Sequence, residues 1–386
     1  MAQARSLPAK ENRRPHRVDD NVDYLFLLLV LLLLTVGLTM LYSASSAQSA
    51  YDTGYESTCK YLIKQAVCAG IGLLAMYLFS RIPVAFWYRM AWPLYWGSIG
   101  LLLSVLIVGQ EVNGARRWIN IAGLQFQPSE LAKFTQILLF ARLTRGFGQE
   151  AKTFRLGVMG FGMALLGILV PLALEKHLSA IMLMGMVAVV MMYVAGTPMK
   201  WLAAGAAAAA LFVVVYISFM GYASDRVTAW LHPELDPSDK GYQILQSLYA
   251  IGSGGVFGLG FGKSRQKYLY LPFQYNDYIF AICCEELGLI GALGIIVLFA
   301  LTIMRGYWIA LHGADRFSTV LCAGLTTLIA VQTILNLCVV TNLLPSTGIA
   351  LPFFSYGGTA LAMNLGEMGV VLSISRQKNK RKIQEE

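Results

Sequence analysis

Long stretches without a single charged residue divide this chain. Residues 24–51 form the first such stretch, and residues 317–366 form an uncharged run too long for one membrane helix. A charged side chain near the centre of a bilayer costs about 2.5–3.5 kcal/mol, and about 20 helical residues cross the ~30 Å hydrocarbon core. The runs therefore indicate an integral membrane protein. Composition agrees, since 57% of the residues are hydrophobic and only 13% are charged, whereas soluble proteins carry about a quarter.

The apolar runs predict an all-α polytopic fold with ten transmembrane helices. Residues 342–348, which include Pro345, divide the longest run into the last two spans. The other spans are predicted at residues 24–51, 65–80, 90–110, 129–144, 156–174, 178–199, 201–224 and 287–304, the last belonging to a helix that starts near Asp277.

Basic residues give the predicted orientation. Those that flank the membrane region are Arg5, Lys10, Arg13, Arg14 and Arg17 before the first span, and Arg376, Lys378, Lys380, Arg381 and Lys382 after the last. Positive residues favour the cytoplasmic side, so both termini are predicted to be cytoplasmic. The predicted organisation is a basic tail at 1–22, a membrane domain at 23–376 and a charged tail at 377–386, with a large outer loop at about 223–277 between spans seven and eight.

The two longest loops, residues 110–128 and the large outer loop, are predicted on the extracytoplasmic side. In the second, the spacing of apolar residues from Tyr242 to Ile251 predicts an amphipathic helix, either on the membrane surface or packed against the protein. The six cysteines and four histidines have no metal-ligand spacing and no disulfide pattern, so the cysteines are interpreted as packing residues.

Ionisable residues inside or at the lip of spans are the candidates for function. Glu130 and Lys133 are three residues apart and share a helix face, where they can neutralise each other. Asp277 and Glu285 are eight residues apart, on nearly the same face. The outer loops also carry basic residues, which indicate either an anionic ligand or ordinary solvated charge: Arg116, Arg117, Arg226, Lys240, Lys263, Arg265 and Lys267.

Ordered motifs along the chain resemble those of the SEDS family, the RodA/FtsW/SpoVE group of bacterial shape, division and sporulation proteins. They include Gly114-Ala-Arg-Arg-Trp-Ile119, Phe126-Gln-Pro-Ser-Glu-Leu-Ala-Lys133, Tyr270-Leu-Pro272, Asp277-Tyr-Ile-Phe-Ala281, Glu285-Glu-Leu-Gly288, Gln332, Asn336, Pro345-Ser-Thr-Gly348 and Leu351-Pro-Phe-Phe-Ser-Tyr-Gly-Gly358. The similarity covers nearly the whole chain beyond the basic tail.

The resemblance implies a peptidoglycan glycosyltransferase of the bacterial cytoplasmic membrane that polymerises lipid II at the extracytoplasmic side. It also implies a class B penicillin-binding protein, a transpeptidase, as partner. A lipid II flippase and a non-catalytic scaffold that activates the transpeptidase remain alternatives. Since the resemblance is to the whole group, it does not separate a role in division from one in elongation or sporulation. Nucleic acid is not an expected partner.

The same resemblance assigns site residues by their place in the motifs. Asp277 corresponds to the catalytic aspartate, for which a role as general base is our hypothesis. Glu130, Lys133 and Ser355 match positions near the polar cavity, and Arg116 and Trp118 match the loop above it. Lys133 and Arg116, or alternatively a divalent cation such as Mg or Mn, are expected to stabilise the charge that develops on the leaving diphosphate.

The chain departs from the family pattern in two places. Where the family often has Leu-Pro-Glu-Ala-His-Thr-Asp, this chain has Leu271-Pro-Phe-Gln-Tyr-Asn-Asp277, so Phe273 and Tyr275 replace an acid and an imidazole. Where many members have Pro-Asp-Leu-Gly, this chain has Lys176-His-Leu-Ser179. An acid is missing at His177, and the sequence assigns no role to that histidine.

Overall fold

The structure is a computed structural model that describes residues 22–112, 115–121, 124–205, 207, 230–235 and 240–385. The predicted basic tail before residue 22, most of the predicted span at 201–224, and Arg226 lie outside the described residues. So do the side chains of Lys240 and of the predicted cytoplasmic tail from residue 378.

Helices make up most of the described chain. In chain order they are α1 (Tyr24–Asp52), α2 (Lys60–Arg81), α3 (Val84–Val108), α4 (Pro128–Phe147), α5 (Phe161–Leu174), α6 (Leu178–Val194), α7 (Lys240–Gly254), α8 (Ile279–Leu311), α9 (Arg316–Val340) and α10 (Gly358–Glu385). Residues 199–205 are also helical. Short 3₁₀ turns occupy Gly148–Lys152 and Pro233–Leu235, and a π-helical turn, Arg155–Gly160, leads into α5.

Six helices in the described part of the chain are long and apolar enough to cross a membrane. They are α1, α2, α3, α5 with the preceding π-helical turn, α8 and α9; the apolar helix α6 is shorter. Helix α4 contains Glu130, Lys133, Arg142 and Arg145, and such charges are tolerated in a span only where they face a polar interior. These helices confirm a mostly helical, multi-span architecture.

Helix α9 lies at the centre of the bundle. Of its most apolar window 72% is buried, against 28% in α2, α3 and α8. It packs against α4, α6 and α8, while α2 packs along α10. The peripheral helices expose large apolar side chains such as Leu32, Ile71 and Leu293, as expected of surfaces that face lipid. The central position of α9 and α4 places their polar residues inside the protein.

The first outer loop is a small antiparallel sheet, so the prediction of an all-α protein was incomplete here. Strands β1 (Gln110–Val112), β2 (Ala115–Ile121) and β3 (Leu124–Phe126) follow one another in the order β1-β2-β3. The pairing of β1 with β2 is irregular between Gln110 and Glu111, which oppose Trp118 and Arg116. Arg117 is therefore the extra residue of a β-bulge, a feature that can redirect a side chain.

The second loop contains helix α7, as the sequence predicted, and then a series of turns at residues 255–278. Helix α8 is interrupted at Gly288, which has φ 66° and ψ −169°. The turns pair with α8 at this kink through four main-chain hydrogen bonds, between Leu259 N and Glu285 O, Gly260 N and Glu286 O, Leu289 N and Gly255 O, and Ile290 N and Val256 O. The loop thus satisfies main-chain groups that the kink removes from the helix.

Two buried acids of α8 hold the same loop. Glu286 forms an ion pair of 3.1 Å with Lys267, and Ser43 of α1 donates a hydrogen bond to its carboxylate. Glu285 accepts hydrogen bonds from the amides of Arg265 and Gln266 and from the hydroxyl of Ser264. Lys267 and Glu286 have side chains only 4% and 0% exposed. Their pairing meets the requirement that buried charges be compensated, and it fixes the loop ten residues before Asp277.

Gly288 cannot accept a side chain without displacing the loop. A Cβ atom there would lie 2.2 Å from Gly258 N and 2.6 Å from Val256 O, and its backbone conformation is one that glycine alone adopts readily. We expect Gly288→Ala to lower the free energy of unfolding by about 2–6 kcal/mol, from strain and overpacking of about 1–3 kcal/mol each. The measurement is thermal unfolding of the detergent-solubilised protein.

Gly294→Ala is the matched control on the same helix, because nothing lies within 4 Å of the position its Cβ would take. We expect this variant to unfold at or above the wild-type temperature, since alanine favours helix over glycine. Equal unfolding temperatures for Gly288→Ala and Gly294→Ala would contradict the account of the kink.

Candidate active site

A cavity of about 220 Å³, lined by polar and apolar residues, opens among the loops at one end of the helix bundle. We call this the loop end; it carries the sheet, the turn at 175–177, the turns at 255–278 and residues 341–357. These segments touch one another, for example where Tyr356 N donates to Tyr275 O and Arg117 Nη2 donates to Lys176 O. Typical small-molecule sites occupy about 300–1,000 Å³, so the cavity suits the reacting groups of a larger substrate rather than the whole of one.

Asp277 lines this cavity, immediately before α8. Asn336, buried on α9, donates its side-chain amide to Asp277 O at 2.7 Å and to Ile349 O at 2.8 Å. Gly348 has φ 70°, and a Cβ atom there would lie 3.3 Å from Asp277 Oδ2. Asn336 thus holds together the two loop segments that carry the carboxylate and the wall beside it.

Glu130 and Lys133 lie in the first turns of α4, which begins with Pro128 after β3. Their ion pair measures 2.7 Å, which confirms that they share a face, and both side chains line the cavity. They are buried, with side-chain exposures of 11% and 5% respectively. A cation held in this way is already oriented and poorly solvated, so it interacts strongly with an anion that enters the cavity.

Of the residues on β2, Arg117 and Trp118 line the cavity. Arg116 does not: it is exposed, and its Nη1 donates to Leu106 O at 3.3 Å. Arg117 Nη2 instead donates to Lys176 O at 2.5 Å, in the turn between α5 and α6. The β-bulge at Arg117 accounts for this choice, because it breaks the simple alternation of strand side chains. The structure therefore brings Arg117, where Arg116 was expected, to the other predicted site residues.

Ser355 also lies at the cavity, and its hydrogen bonds join it to its own loop and to α2. Its hydroxyl accepts from Leu351 N at 2.8 Å, and its carbonyl accepts from Gln65 Nε2 at 3.1 Å. Gln65 Oε1 in turn accepts from Gly357 N. Ser355 therefore shapes the segment 351–357 that forms one wall.

Several polar residues that line the cavity had no role assigned from the sequence. Asn276, Gln332 and His177 each have a buried polar atom, respectively Oδ1, Oε1 and Nδ1, with no hydrogen-bond partner. Buried polar groups in proteins are nearly always paired with protein or water, so three such atoms around one cavity are open to hydrogen bonds from a polar ligand or from water. The signal for Gln332 in the sequence was an amide inside an apolar span.

No group of three or more His, Cys, Asp or Glu side chains that could hold a metal ion occurs within the described ranges. The acids at the cavity are Asp277 and Glu130, and Glu130 is already paired with Lys133. The described residues thus do not form a ready three-ligand metal site.

The fold and this cavity agree with the family to which the sequence pattern pointed. The FtsW/RodA/SpoVE family, described as "Cell cycle protein", matches residues 23–380. The chain belongs to this family. It is consequently a multi-pass membrane protein of the SEDS group.

Two curated relatives span almost the same length. A protein named probable peptidoglycan glycosyltransferase FtsW from Trichlorobacter lovleyi is 37% identical over 368 residues, covering 94% of this chain and 95% of its own. Stage V sporulation protein E from Bacillus subtilis is 38% identical over 358 residues, covering 92% and 97%. The two identities are nearly equal, so overall similarity does not distinguish a division role from a sporulation role.

A solved structure shares the fold. This structure is described as "Structural coordination of polymerization and crosslinking by a peptidoglycan synthase complex". The TM-score is 0.79 at 29% identity, and the match covers 92% of this chain and 98% of that chain.

Proposed function

We propose that this protein is a peptidoglycan glycosyltransferase that polymerises lipid II, transferring a growing lipid-linked glycan onto the next lipid II molecule. The observation that carries the proposal is that one cavity at the loop end contains the carboxylate of Asp277 together with the cations Lys133 and Arg117. The names of the relatives support the same activity.

Asp277 is the general base in this proposal. Its carboxylate takes the proton of the acceptor GlcNAc 4-hydroxyl while that oxygen attacks the anomeric carbon of the donor MurNAc. The bond from that carbon to the diphosphate breaks as the new bond forms. A single displacement inverts the α-linked donor and gives a β-1,4 bond. The hydrogen bond from Asn336 to Asp277 O holds the backbone of the base in place.

Lys133 and Arg117 stabilise the negative charge that gathers on the undecaprenyl diphosphate as it leaves. Such fixed charges act most strongly in a site from which water is largely excluded. Glu130 keeps Lys133 charged and oriented through their 2.7 Å ion pair. Trp118 and Ser355 give the cavity its shape, and Gln332 and Asn276 offer hydrogen bonds to polar groups of the sugars.

The membrane arrangement belongs to the same proposal. Ten spans with both tails, 1–22 and 377–386, on the cytoplasmic side place the loop end outside the bacterial cytoplasmic membrane, where both lipid-linked substrates present their sugars. Support comes from the basic residues at both ends of the sequence. A class B penicillin-binding protein is the proposed partner, which cross-links the new strand; the related chain from a peptidoglycan synthase complex supports this choice.

Purified protein, combined with a class B penicillin-binding protein whose transpeptidase is inactivated and with labelled lipid II, tests the function. We expect long glycan strands, resolved by gel electrophoresis and digested by a muramidase. The matched control is the partner alone, which should give none. Lipid II that crosses vesicle membranes without forming polymer would overturn the proposal in favour of a transporter. If neither polymerisation nor transport is found, the protein is a scaffold, and the proposed function is overturned as well.

A further inference from the structure

The turn between α5 and α6, residues 175–177, reaches the cavity at His177 and has no role in the glycosyl transfer. His177 lines the cavity, and its Nδ1 is buried without a hydrogen-bond partner. Glu175 is 3% exposed, and its Oε1 also lacks a partner. Arg117 reaches the turn from β2 through its hydrogen bond to Lys176 O. The turn therefore brings one imidazole and one carboxyl group to the cations of the cavity.

Both groups of the turn lie outside the helices and are uncharged near neutral pH. Burial, and then the charges of Arg117 and Lys133, lower the pKa of His177 to about 3. Burial raises the pKa of Glu175 to about 8, although Arg117 opposes the increase. Neither group of the turn therefore places a charge beside Arg117 near neutral pH, and Lys133 is paired with Glu130.

The charges that face His177 come from every element around it. They are Arg117 on β2, the Lys133–Glu130 pair on α4, Glu175 in its own turn and Asp277 across the cavity, while the Lys176 side chain is exposed. The imidazole is uncharged near neutral pH, so it places no negative charge beside Arg117 and Lys133 that would repel an anion.

We propose that Arg117, Lys133 and His177 form a subsite for the diphosphate of a polyprenyl diphosphate, and that His177 takes up a proton from water when the diphosphate binds. The added proton on Nδ1 donates a hydrogen bond to a diphosphate oxygen and returns to water when the diphosphate leaves. No covalent bond changes. The identity of the anion rests on the proposed function, because a diphosphate is the leaving group of that reaction.

Proton uptake by His177 determines the sign of the pH dependence of binding. A bound dianion beside His177 stabilises the imidazolium, so it raises the pKa of His177 above its low value in the free protein. Affinity therefore increases as pH falls through the bound-state pKa, by up to about tenfold per pH unit. Glu175 acts in the same direction at higher pH, since its carboxylate forms as pH rises through about 8 and repels the anion.

Binding of farnesyl diphosphate to the full-length protein in detergent, measured by calorimetry at several pH values between about 5.5 and 8.5, tests this subsite. Diphosphate itself titrates in this range, so each comparison is made between variants at one pH. We expect the wild-type protein to bind more tightly as pH falls and His177→Gln to lose that gain, with about tenfold weaker binding at the lowest pH. His177→Asp should bind about tenfold more weakly than the wild type at every pH.

Arg117→Gln and Lys176→Gln are a matched pair of cation removals next to the same turn. The first should weaken binding about tenfold or more at every pH, because it removes a charge-assisted hydrogen bond. The second removes an exposed charge and should leave binding unchanged. Unfolding temperatures of all variants are measured in parallel, and Glu175→Gln should flatten only the change above about pH 8.

Two other ligands show whether the diphosphate or the lipid part of farnesyl diphosphate is recognised. Inorganic pyrophosphate should compete with farnesyl diphosphate and show the same dependence on His177, whereas farnesol should not compete. Competition by farnesol equal to that by pyrophosphate would overturn the subsite, and so would a His177→Gln protein that keeps the wild-type pH slope. If glycan polymer forms without this pH-linked binding, the proposed function stands and only the subsite is refuted. If the pH-linked binding is found but no polymer forms, the subsite stands and the proposed function is refuted.

Discussion

Glycan-strand formation by the Asp277→Asn protein is expected to fall by about 10²- to 10⁴-fold, the usual contribution of a general base. Asparagine preserves the size of the side chain and leaves the main-chain carbonyl that accepts from Asn336, so the fold should be retained. What it removes is the ability to accept the proton of the acceptor hydroxyl. The measurement is the initial rate of polymer formation from labelled lipid II in the presence of the transpeptidase partner.

The control for this variant is Glu234→Gln, which neutralises an exposed carboxylate of the second loop. It should polymerise at the wild-type rate. The Asp277→Asn protein should still bind farnesyl diphosphate and still associate with the partner, because neither property needs a base. Polymer formation by Asp277→Asn at the wild-type rate would remove Asp277 from the role of base.

The second large effect is expected from Lys133→Met. This change removes a cation beside the leaving group and should lower turnover by about 10²- to 10³-fold, as the loss of one preorganised charge-stabilising group does elsewhere. It also leaves Glu130 buried without its partner, which costs about 3–5 kcal/mol of stability. The double variant Glu130→Gln/Lys133→Met separates the two effects, since it should recover stability but not turnover.

Lys263→Met provides the matched control for Lys133→Met, because Lys263 is an exposed lysine of the second loop and does not line the cavity. Its turnover should stay close to that of the wild type. Similar losses of turnover in Lys263→Met and Lys133→Met would show that general surface charge, rather than the buried pair, governs the rate. Recovery of full turnover in the double variant would also count against charge stabilisation by Lys133.

Much of the fold could be predicted from the sequence because each membrane span appears in it as a long apolar run. Helices α1, α3, α8 and α9 fall where those runs lie, and the amphipathic spacing from Tyr242 to Ile251 predicted α7. The sheet at residues 110–126 was not predicted, although Asn113-Gly114 is a strong hairpin signal in the sequence. Short strands in a polar loop do not produce a long charge-free run.

The kink at Gly288 could not be predicted from the sequence either. A glycine within an apolar run is common, and its role here depends on close approach to Gly258, thirty residues away in a different segment. The glycine-rich sequence from Gly252 to Gly262 did indicate tight turns. It gave no indication that these turns pair with a helix.

The sequence singled out Asp277, Glu130 and Lys133 because ionisable residues at the lips of spans are rare, and Trp118 through the family motif. In the structure all four line one cavity, and their roles stay predictions. The sequence could not decide between Arg116 and Arg117, because that choice depends on a bulge in the pairing of β1 with β2. His177 was noticed only as a departure from the family pattern. Its importance depends on three segments of chain meeting at one cavity.

The pairing of residues 255–260 with α8 has a consequence for the biosynthesis of the protein. The segment that enters the membrane as α8 cannot satisfy its own amides and carbonyls around Gly288, and each such group left without a partner in lipid costs several kcal/mol. Insertion of this helix is therefore complete only when the preceding loop has folded back onto it. Substitutions in that loop should show themselves as failed maturation and degradation in the cell, at positions remote from the chemistry.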